Sequence, residues 1–428
     1  MKHWLRIPIG YWLAAVAVVV LATILLGGIL VRRDIVQYRM PHTQAVRDPA
    51  FFSYAHALAE PMPVAGNKIE LLHNGDQIFP AMLAAIRQAK RSVNFEAFLF
   101  YSGQVSAEFE QALSERARAG VKVRVLLDGV GSSLHLDNRE VDRLKEAGCS
   151  FAYYHPTRAW RLDRLNQRTH RRILVVDGRI GFTGGVGFAD WWKGNAASPK
   201  EWRDVQVRIE GPVVTKLQAA FFQHWAQETG EALEPLENFP VQEKKGNLSA
   251  QIVSSRAFSL APMAWLQAAA FSSAERSIFI TNAYCAPSDS QVEHLVEAVK
   301  RGVDVRLLLP GTHNDQPLTK AAGRTSYRKL LEGGVKIYEY QPTMIHSKTM
   351  VIDGLLSLIG SSNFDARSAQ INEELDLSVY DASFGQQMEA VFEGDLKSAK
   401  LYRLEDFEKR SWRERFSEWI VLPFHSQL

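Results

Sequence analysis

Hydrophobic and polar positions follow three regimes along this chain. Residues 11–31, YWLAAVAVVVLATILLGGILV, carry no charge at all. As a helix they would cross about 30 Å, the thickness of a bilayer's hydrocarbon core. Tyr11 and Trp12 mark one interface, and Arg32 and Arg33 mark the other. A cleaved signal peptide has a shorter apolar core, about 7–15 residues, followed by a small-residue cleavage site. This run is longer and ends in Arg-Arg, so a retained single-pass anchor over 1–33 is expected. Lys2 and Arg6 precede the span; Arg32, Arg33 and Arg39 follow it. That bias points to a cytoplasmic C-terminal domain without fixing the side.

Residues 34–66 form the second regime. Pro41, Pro49, Pro61 and Pro63 punctuate them and no long helical period survives, which predicts a linker. Regular patterning begins near Ile69. FEQALSERARAG reads as an amphipathic helix ending at Gly120, and VKVRVLL as a strand by its period-two alternation. ILVVDG and TMVIDG are apolar strands ending in a turn, and HNGDQIF is a turn before a helix, with His73 incidental to it. Helices alternating with apolar strands predict an α/β fold with mostly parallel sheets. Beyond this third regime, over residues 401–428, a helix places Trp412, Phe416, Trp419 and Ile420 on one face. Such a face suits a membrane surface or the protein core alike.

The α/β region repeats itself. AKRSVNFEAFLF (89–100) resembles AERSIFITNAYC (274–285), AGVKVRVLLDG (119–129) resembles RGVDVRLLLPG (301–311), and EAGCSFAYYHP (146–156) resembles EGGVKIYEYQP (332–342). THRRILVVDGRIGFTGG (169–185) then resembles IHSKTMVIDGLLSLIGSSN (345–363). Four blocks in one order imply two duplicated halves, 67–245 and 246–400, paired about a pseudo-twofold axis.

Composition adds exclusions. Of 428 residues, 46% are hydrophobic and 23% charged, which excludes broad disorder. Lys+Arg 50 against Asp+Glu 47 leaves a net charge of +3, no footprint for nucleic acid, and no such partner is expected. Cys149 and Cys285 show no metal-ligand spacing and read as buried free thiols. His294 and His313 lack metal-like spacing too.

The paired motifs carry the chemistry. Alternate residues of a strand share a face, so His170 with Arg172, and His346 with Lys348, can each address one ligand. Two such strands meeting at the axis place two imidazoles and two cations around one point, an arrangement that suits a phosphodiester. Cations neutralise the non-bridging oxygens as charge develops. One neutral imidazole attacks phosphorus and the other protonates the leaving alcohol. Each imidazole needs a carboxylate to fix its tautomer. Asp204 and Glu374 lie at matching points of the two halves, each leading into an alternating strand, and are the candidates. Trp160, Trp191 and Trp192 lie near the first motif, where each packs in the core or lines a lipid groove.

HSKTMVIDG with GSSNFD matches the His-x-Lys-x4-Asp signature of the phospholipase D superfamily and its downstream Gly-Ser-x-Asn. From about residue 67 onward the chain resembles the bacterial cardiolipin synthase branch, with LLDGVGS, WRDVQVRIEGP, GSSNFDARS and NEELDLSVYD in order. The resemblance implies two α/β halves with the site between them, and cofactor- and metal-independent phosphatidyl transfer through a phosphohistidine. It further implies phospholipid substrates, typically two phosphatidylglycerols giving cardiolipin and glycerol, at a bacterial inner membrane. Carried over by residue, the second signature supplies His346, Lys348, Asp353, Ser361 and Asn363, with Ser361 and Asn363 as substrate contacts. The first supplies His170 and Asp177. Family usage makes His170 the nucleophile and His346 the acid, although the asymmetry can run either way. Asp177 and Asp353 precede Gly and read as turn-fixing residues.

The first signature departs from the pattern. Arg172 stands in the Lys position, keeping charge with a different donor geometry. Gly187 stands in the Asn position and removes an amide. A lost hydrogen bond to a charged group costs about 1.5–3 kcal/mol, roughly 10- to 200-fold in rate if felt only in the transition state. An active transferase is expected. A hydrolytic phospholipase D and an inactive lipid-binding homologue are its rivals, and the oligomeric state stays open.

Overall fold

The computed structural model describes residues 8, 10–13, 15–16, 18–19, 40, 42, 44–59, 62–156, 164, 166–255 and 262–422. Most of the expected anchor over 11–31, and Trp160, lie outside these residues. Within that run, the described residues are helical, and Tyr11, Trp12, Leu13, Val16, Val18 and Val19 are exposed. Among the described residues no helix is long and apolar enough to cross a membrane.

The expected linker is shorter than its prolines suggest. A helix spans Pro49–Leu58, with the Asp48 carboxylate accepting from the Ala50 amide at its N-terminus. Pro49 occupies the first helical position, where its missing N–H leaves nothing unpaired. The first strand, β1 (Val64–His73), starts five residues before Ile69.

The first half contributes β1, β2 (Ser92–Ala97), β3 (Lys122–Asp128), β4 (Ser150–Tyr154), β5 (Ile173–Val176), β6 (Ile180–Gly184) and β7 (Val205–Glu210). The second contributes β8 (Leu248–Ser254), β9 (Ser277–Asn282), β10 (Cys285–Ala286), β11 (Asp304–Pro310), β12 (Lys336–Tyr340), β13 (Lys348–Ile352), β14 (Leu356–Gly360), β15 (Phe364–Asp365), β16 (Leu375–Tyr380) and β17 (Ala399–Tyr402). Fifteen of these strands make one continuous sheet, ordered β17-β12-β11-β9-β13-β14-β16-β8-β1-β7-β6-β5-β2-β3-β4. The halves join where β8 pairs antiparallel with β1.

The expectation of mostly parallel sheets is corrected: the sheet is mixed. Within it, only β2–β3, β3–β4, β9–β11 and β11–β12 run parallel, at the outer flanks. The reason lies in the Asp-Gly turns after ILVV and TMVI. Asp177 (φ 53°) and Gly178 (φ 64°), and likewise Asp353 (φ 54°) and Gly354 (φ 63°), all take positive φ. Consecutive positive φ values twist a two-residue turn to match antiparallel strands, so each motif strand folds straight back as a hairpin, β5–β6 or β13–β14. Asp177 accepts from the amides of Lys90, Arg91 and Ser92, and Asp353 from those of Glu275, Arg276 and Ser277. Each carboxylate ties a hairpin to the start of the neighbouring strand.

Helices cover both faces. One apolar core crosses the join, packing the helix Val214–Thr229 and the helix Ala382–Leu396 through Phe221, Trp225, Phe384 and Met388 onto Val207, Ile252 and Leu377. Two further cores fill the opposite side, one per half. Both cysteines are buried and free. The C-terminal helix Trp412–Val421 is capped by Ser411 and packs through Val421 against Ala321 and Ala322. Its aromatic face does not pack in the core: Trp412 is 71% and Trp419 67% exposed.

Candidate active site

Both motif histidines sit immediately before hairpin strands, at the join. The backbone places them. The His170 amide donates to the Glu373 carbonyl (2.8 Å), and the His346 amide to the Arg203 carbonyl (2.7 Å). Each histidine is thereby stitched to the residue before a carboxylate of the other half. The pairing follows. His170 Nδ1 lies 2.9 Å from both Glu374 oxygens, and His346 Nδ1 lies 3.0 Å from Asp204 Oδ2. The carboxylates found at matching sequence points are therefore exchanged between the halves.

The cations mirror one another. Lys348 Nζ lies 2.7 Å from its own His346 carbonyl and 2.9 Å from His346 Nε2. Arg172 Nη1 and Nη2 lie 2.6 Å from the His170 carbonyl and 3.0 Å from His170 Nε2. Arginine thus reproduces the lysine's contacts to carbonyl and Nε2, though not the lysine's further approach to His346 Nδ1 at 2.9 Å, and its Nε is buried without a hydrogen-bond partner among the described residues. Each Nδ1 faces a carboxylate, so the Nδ1–H tautomer leaves Nε2 free to react beside a cation.

Electrostatics separate the two sides. Burial, then the Arg172 and Lys348 charges, hold His170 well below the usual imidazole range. Burial and Lys348 lower His346 to about 4, against the opposing pull of Asp204. Burial raises Glu374 to about 7. Burial alone would raise Asp204 too, but its hydrogen bond to His346 and the nearby Lys348 keep it below the ordinary value. Burial and then Arg172 bring Lys348 down to about 7. Asp204 therefore stays ionised where Glu374 titrates.

The supporting shells also differ. Glu374 accepts from Ser361 Oγ (2.5 Å), Ser368 Oγ (2.7 Å) and Asn372 Nδ2 (3.3 Å). Ser361, expected at the substrate, is fully buried and serves this carboxylate instead. Its hydroxyl is held there because it also accepts from the Leu375 amide. Asn363 does line the cavity, with its Oδ1 unpartnered among the described residues. Asp204 accepts from Trp192 Nε1 (3.0 Å). Trp202 stacks on His346 (ring centroids 5.4 Å apart, 29°), and Trp192 and Tyr284 meet it edge-on. His170 has Phe98 edge-on at 5.1 Å.

His170, Arg172, His346 and Asn363 open onto a cavity of about 650 Å³ also bounded by Tyr284, Asp315, Arg168 and Arg367. Sequence reasoning missed Trp202 and Tyr284. Both lie outside the repeated blocks' shared residues, and only tertiary packing brings them to His346.

Known proteins resemble this chain in sequence and fold. The family described as cardiolipin synthase, PLD-like domain, matches residues 82–225 and 268–396. A cardiolipin synthase of Clostridium perfringens is 31% identical over 363 residues, 83% of this chain and 76% of that protein. A minor cardiolipin synthase of Bacillus subtilis is 33% identical over 353 residues, 82% and 87% of the two chains. Among solved structures, phosphatidylserine synthase of Haemophilus influenzae shares the fold at a TM-score of 0.64 and 14% identity, covering 87% of this chain and 96% of that one. With a duplicated α/β architecture, two histidines facing one cavity and a family match over most of its length, the chain belongs to the cardiolipin synthase branch of the phospholipase D superfamily, an enzyme family of phosphatidyltransferases.

Proposed function

We propose that this enzyme joins two phosphatidylglycerols into cardiolipin, releasing glycerol, through a phosphohistidine. The observation that carries the reading is the crossed pairing of two buried histidines with two carboxylates beside two cations. His170, which burial and the Arg172 and Lys348 charges hold well below the usual imidazole range, is the nucleophile. Its Nε2 attacks phosphorus, the bond from phosphorus to the leaving glycerol oxygen breaks, and His346 gives that oxygen a proton. A hydroxyl of the second lipid's glycerol then loses its proton to His346 and attacks phosphorus. The phosphorus–nitrogen bond breaks and His170 returns. Arg172 and Lys348 neutralise the non-bridging oxygens, and Asn363 contacts the same phosphoryl group. To act as the acid, His346 enters this step as the imidazolium, its charge held by Asp204 Oδ2 at 3.0 Å against the burial and the Lys348 charge that oppose it. Asp204 and Glu374 orient the rings; Asp177 and Asp353 brace the turns.

A cavity of about 650 Å³ suits polar headgroups and leaves acyl chains outside. An interfacial enzyme follows, held at a bacterial inner membrane by the apolar 11–31 segment, with the exposed Trp412, Phe416 and Trp419 face against lipid. The test is mass spectrometry of lipids after incubating purified protein with phosphatidylglycerol in chelator, beside His346→Ala. Cardiolipin only from the unmodified protein is expected; phosphatidic acid alone would make it a hydrolase, and no turnover of any phospholipid would overturn the reading.

A further inference from the structure

We infer that Trp192 is a positioning residue for the Asp204–His346 pair, and that Gly187 exists as a glycine to admit its indole. The role rests on the transfer reading of the site above.

The two halves align without gaps here: Gly185, Gly187 and Trp192 correspond to Ser361, Asn363 and Ser368. In the second half, Ser361 and Ser368 donate to Glu374. In the first half neither hydroxyl exists. A side chain at Gly185 would collide with the Asp204 carboxylate itself. Trp192 fills the gap, its Nε1 lying 3.0 Å from Asp204 Oδ2, the same oxygen that faces His346 Nδ1 at 3.0 Å. Among the described residues, Trp192 and His346 are the two side chains that donate to Asp204. The indole also meets the His346 ring edge-on, at 5.1 Å between centroids.

An indole is far larger than the serine it replaces, and the space comes from residue 187. A Cβ at Gly187 would lie 2.7 and 2.8 Å from the Cη2 and Cζ3 of Trp192. Its φ lies outside the left-handed region, so the backbone has no need of glycine there; the indole does. Loss of the asparagine and gain of the tryptophan are therefore one exchange. The first motif is rebuilt around a different donor, on the side where His346 acts.

The test uses the full-length protein, with kcat and KM for phosphatidylglycerol and NMR titration of the His346 and His170 rings. Trp192→Phe keeps an aromatic ring and deletes the N–H. It should lower kcat about tenfold or more with little change in KM. It should also raise the His346 midpoint, because Asp204 with one donor fewer attracts the imidazolium more strongly, and leave His170 unmoved. Gly187→Asn alone should lose activity by displacing the indole. The double variant Gly187→Asn/Trp192→Ser, which installs the second half's residues at these two positions, should recover to within about threefold of the unmodified enzyme. Unchanged kcat and an unmoved His346 midpoint in Trp192→Phe would overturn the positioning role. A double variant as inactive as Gly187→Asn would overturn the coupling of glycine to indole. If the unmodified protein turned over no phospholipid, the transfer reading would fall, and the His346 midpoint would still decide the inference.

Discussion

His170 and Glu374 come from opposite halves of the chain, yet both Glu374 oxygens lie 2.9 Å from His170 Nδ1. Asp204 answers for His346 in the reverse direction. Each half therefore supplies a histidine and orients the other's.

This exchange separates the roles of the two sides. A phosphatidyl ester with a p-nitrophenol leaving group needs no proton donor. With it, His346→Ala and Asp204→Asn should release nitrophenol in the first turnover at near-native rates. His170→Ala and Glu374→Gln should remain slowed by about 100-fold or more, the span of a lost acid–base partner. Rapid-quench trapping of the covalent intermediate checks this, and the opposite pattern would reverse nucleophile and acid.

The pH profile should be a bell centred near 7. Glu374, raised to about 7, takes up a proton as pH falls and loses its grip on the His170 N–H, which gives the acid limb. Lys348, lowered to about 7, loses its charge as pH rises, which gives the alkaline limb. Lys348→Arg, which gives the second half the cation that the first already carries at Arg172, should abolish the alkaline limb and leave the acid one. A bell that keeps both limbs in that variant would assign the alkaline limb elsewhere.

At the first cation, Arg172→Lys should stay within about tenfold of native kcat, since the charge survives, while Arg172→Ala should lose about 100-fold or more. Equal activity of all three proteins would show that the phosphoryl group does not lean on residue 172.

Stability across the join rests partly on Arg171, whose fully buried guanidinium bonds to the Ala220 and Ser255 carbonyls and to Glu373 Oε2 at 3.0 Å. Arg171→Met should destabilise by about 3–5 kcal/mol by stranding a buried carboxylate. Urea unfolding measures it; a loss below about 1 kcal/mol would show that His224, already 3.4 Å from Glu373, takes over the charge.

Much of the site was legible from spacing and repetition, although His170 and Arg172 precede β5 and His346 precedes β13 rather than lying within the strands that alternation predicts. His170–Arg172, His346–Lys348 and the strand-leading Asp204 and Glu374 stand out by spacing and repetition, and the structure brings all six together. The exchange of carboxylates was not legible, since nothing within 169–185 or 345–363 encodes which half supplies the partner. That choice is made by the bridges from Thr169 to Glu373 and from Arg203 to Ile345. The sheet's direction escapes sequence reading for a related reason. The Asp-Gly turns were visible, but their positive φ values, which force hairpins, outweigh the helix–strand alternation that suggested parallel crossovers. Ser361 and Asn363 belong to one motif, yet of the two only Asn363 lines the cavity; the hydroxyl two positions earlier is claimed by Glu374, which lies beyond the motif in the same half.

The β8–β1 seam has a consequence for how the two sides could become unequal. Two identical chains associating about a true twofold axis would carry every substitution twice, so a lysine exchanged on one side would be exchanged on both. Covalent continuity through one sheet removes that constraint. Arg172 can stand opposite Lys348, and an indole opposite a serine, with each side tuned to its own step of a two-step reaction.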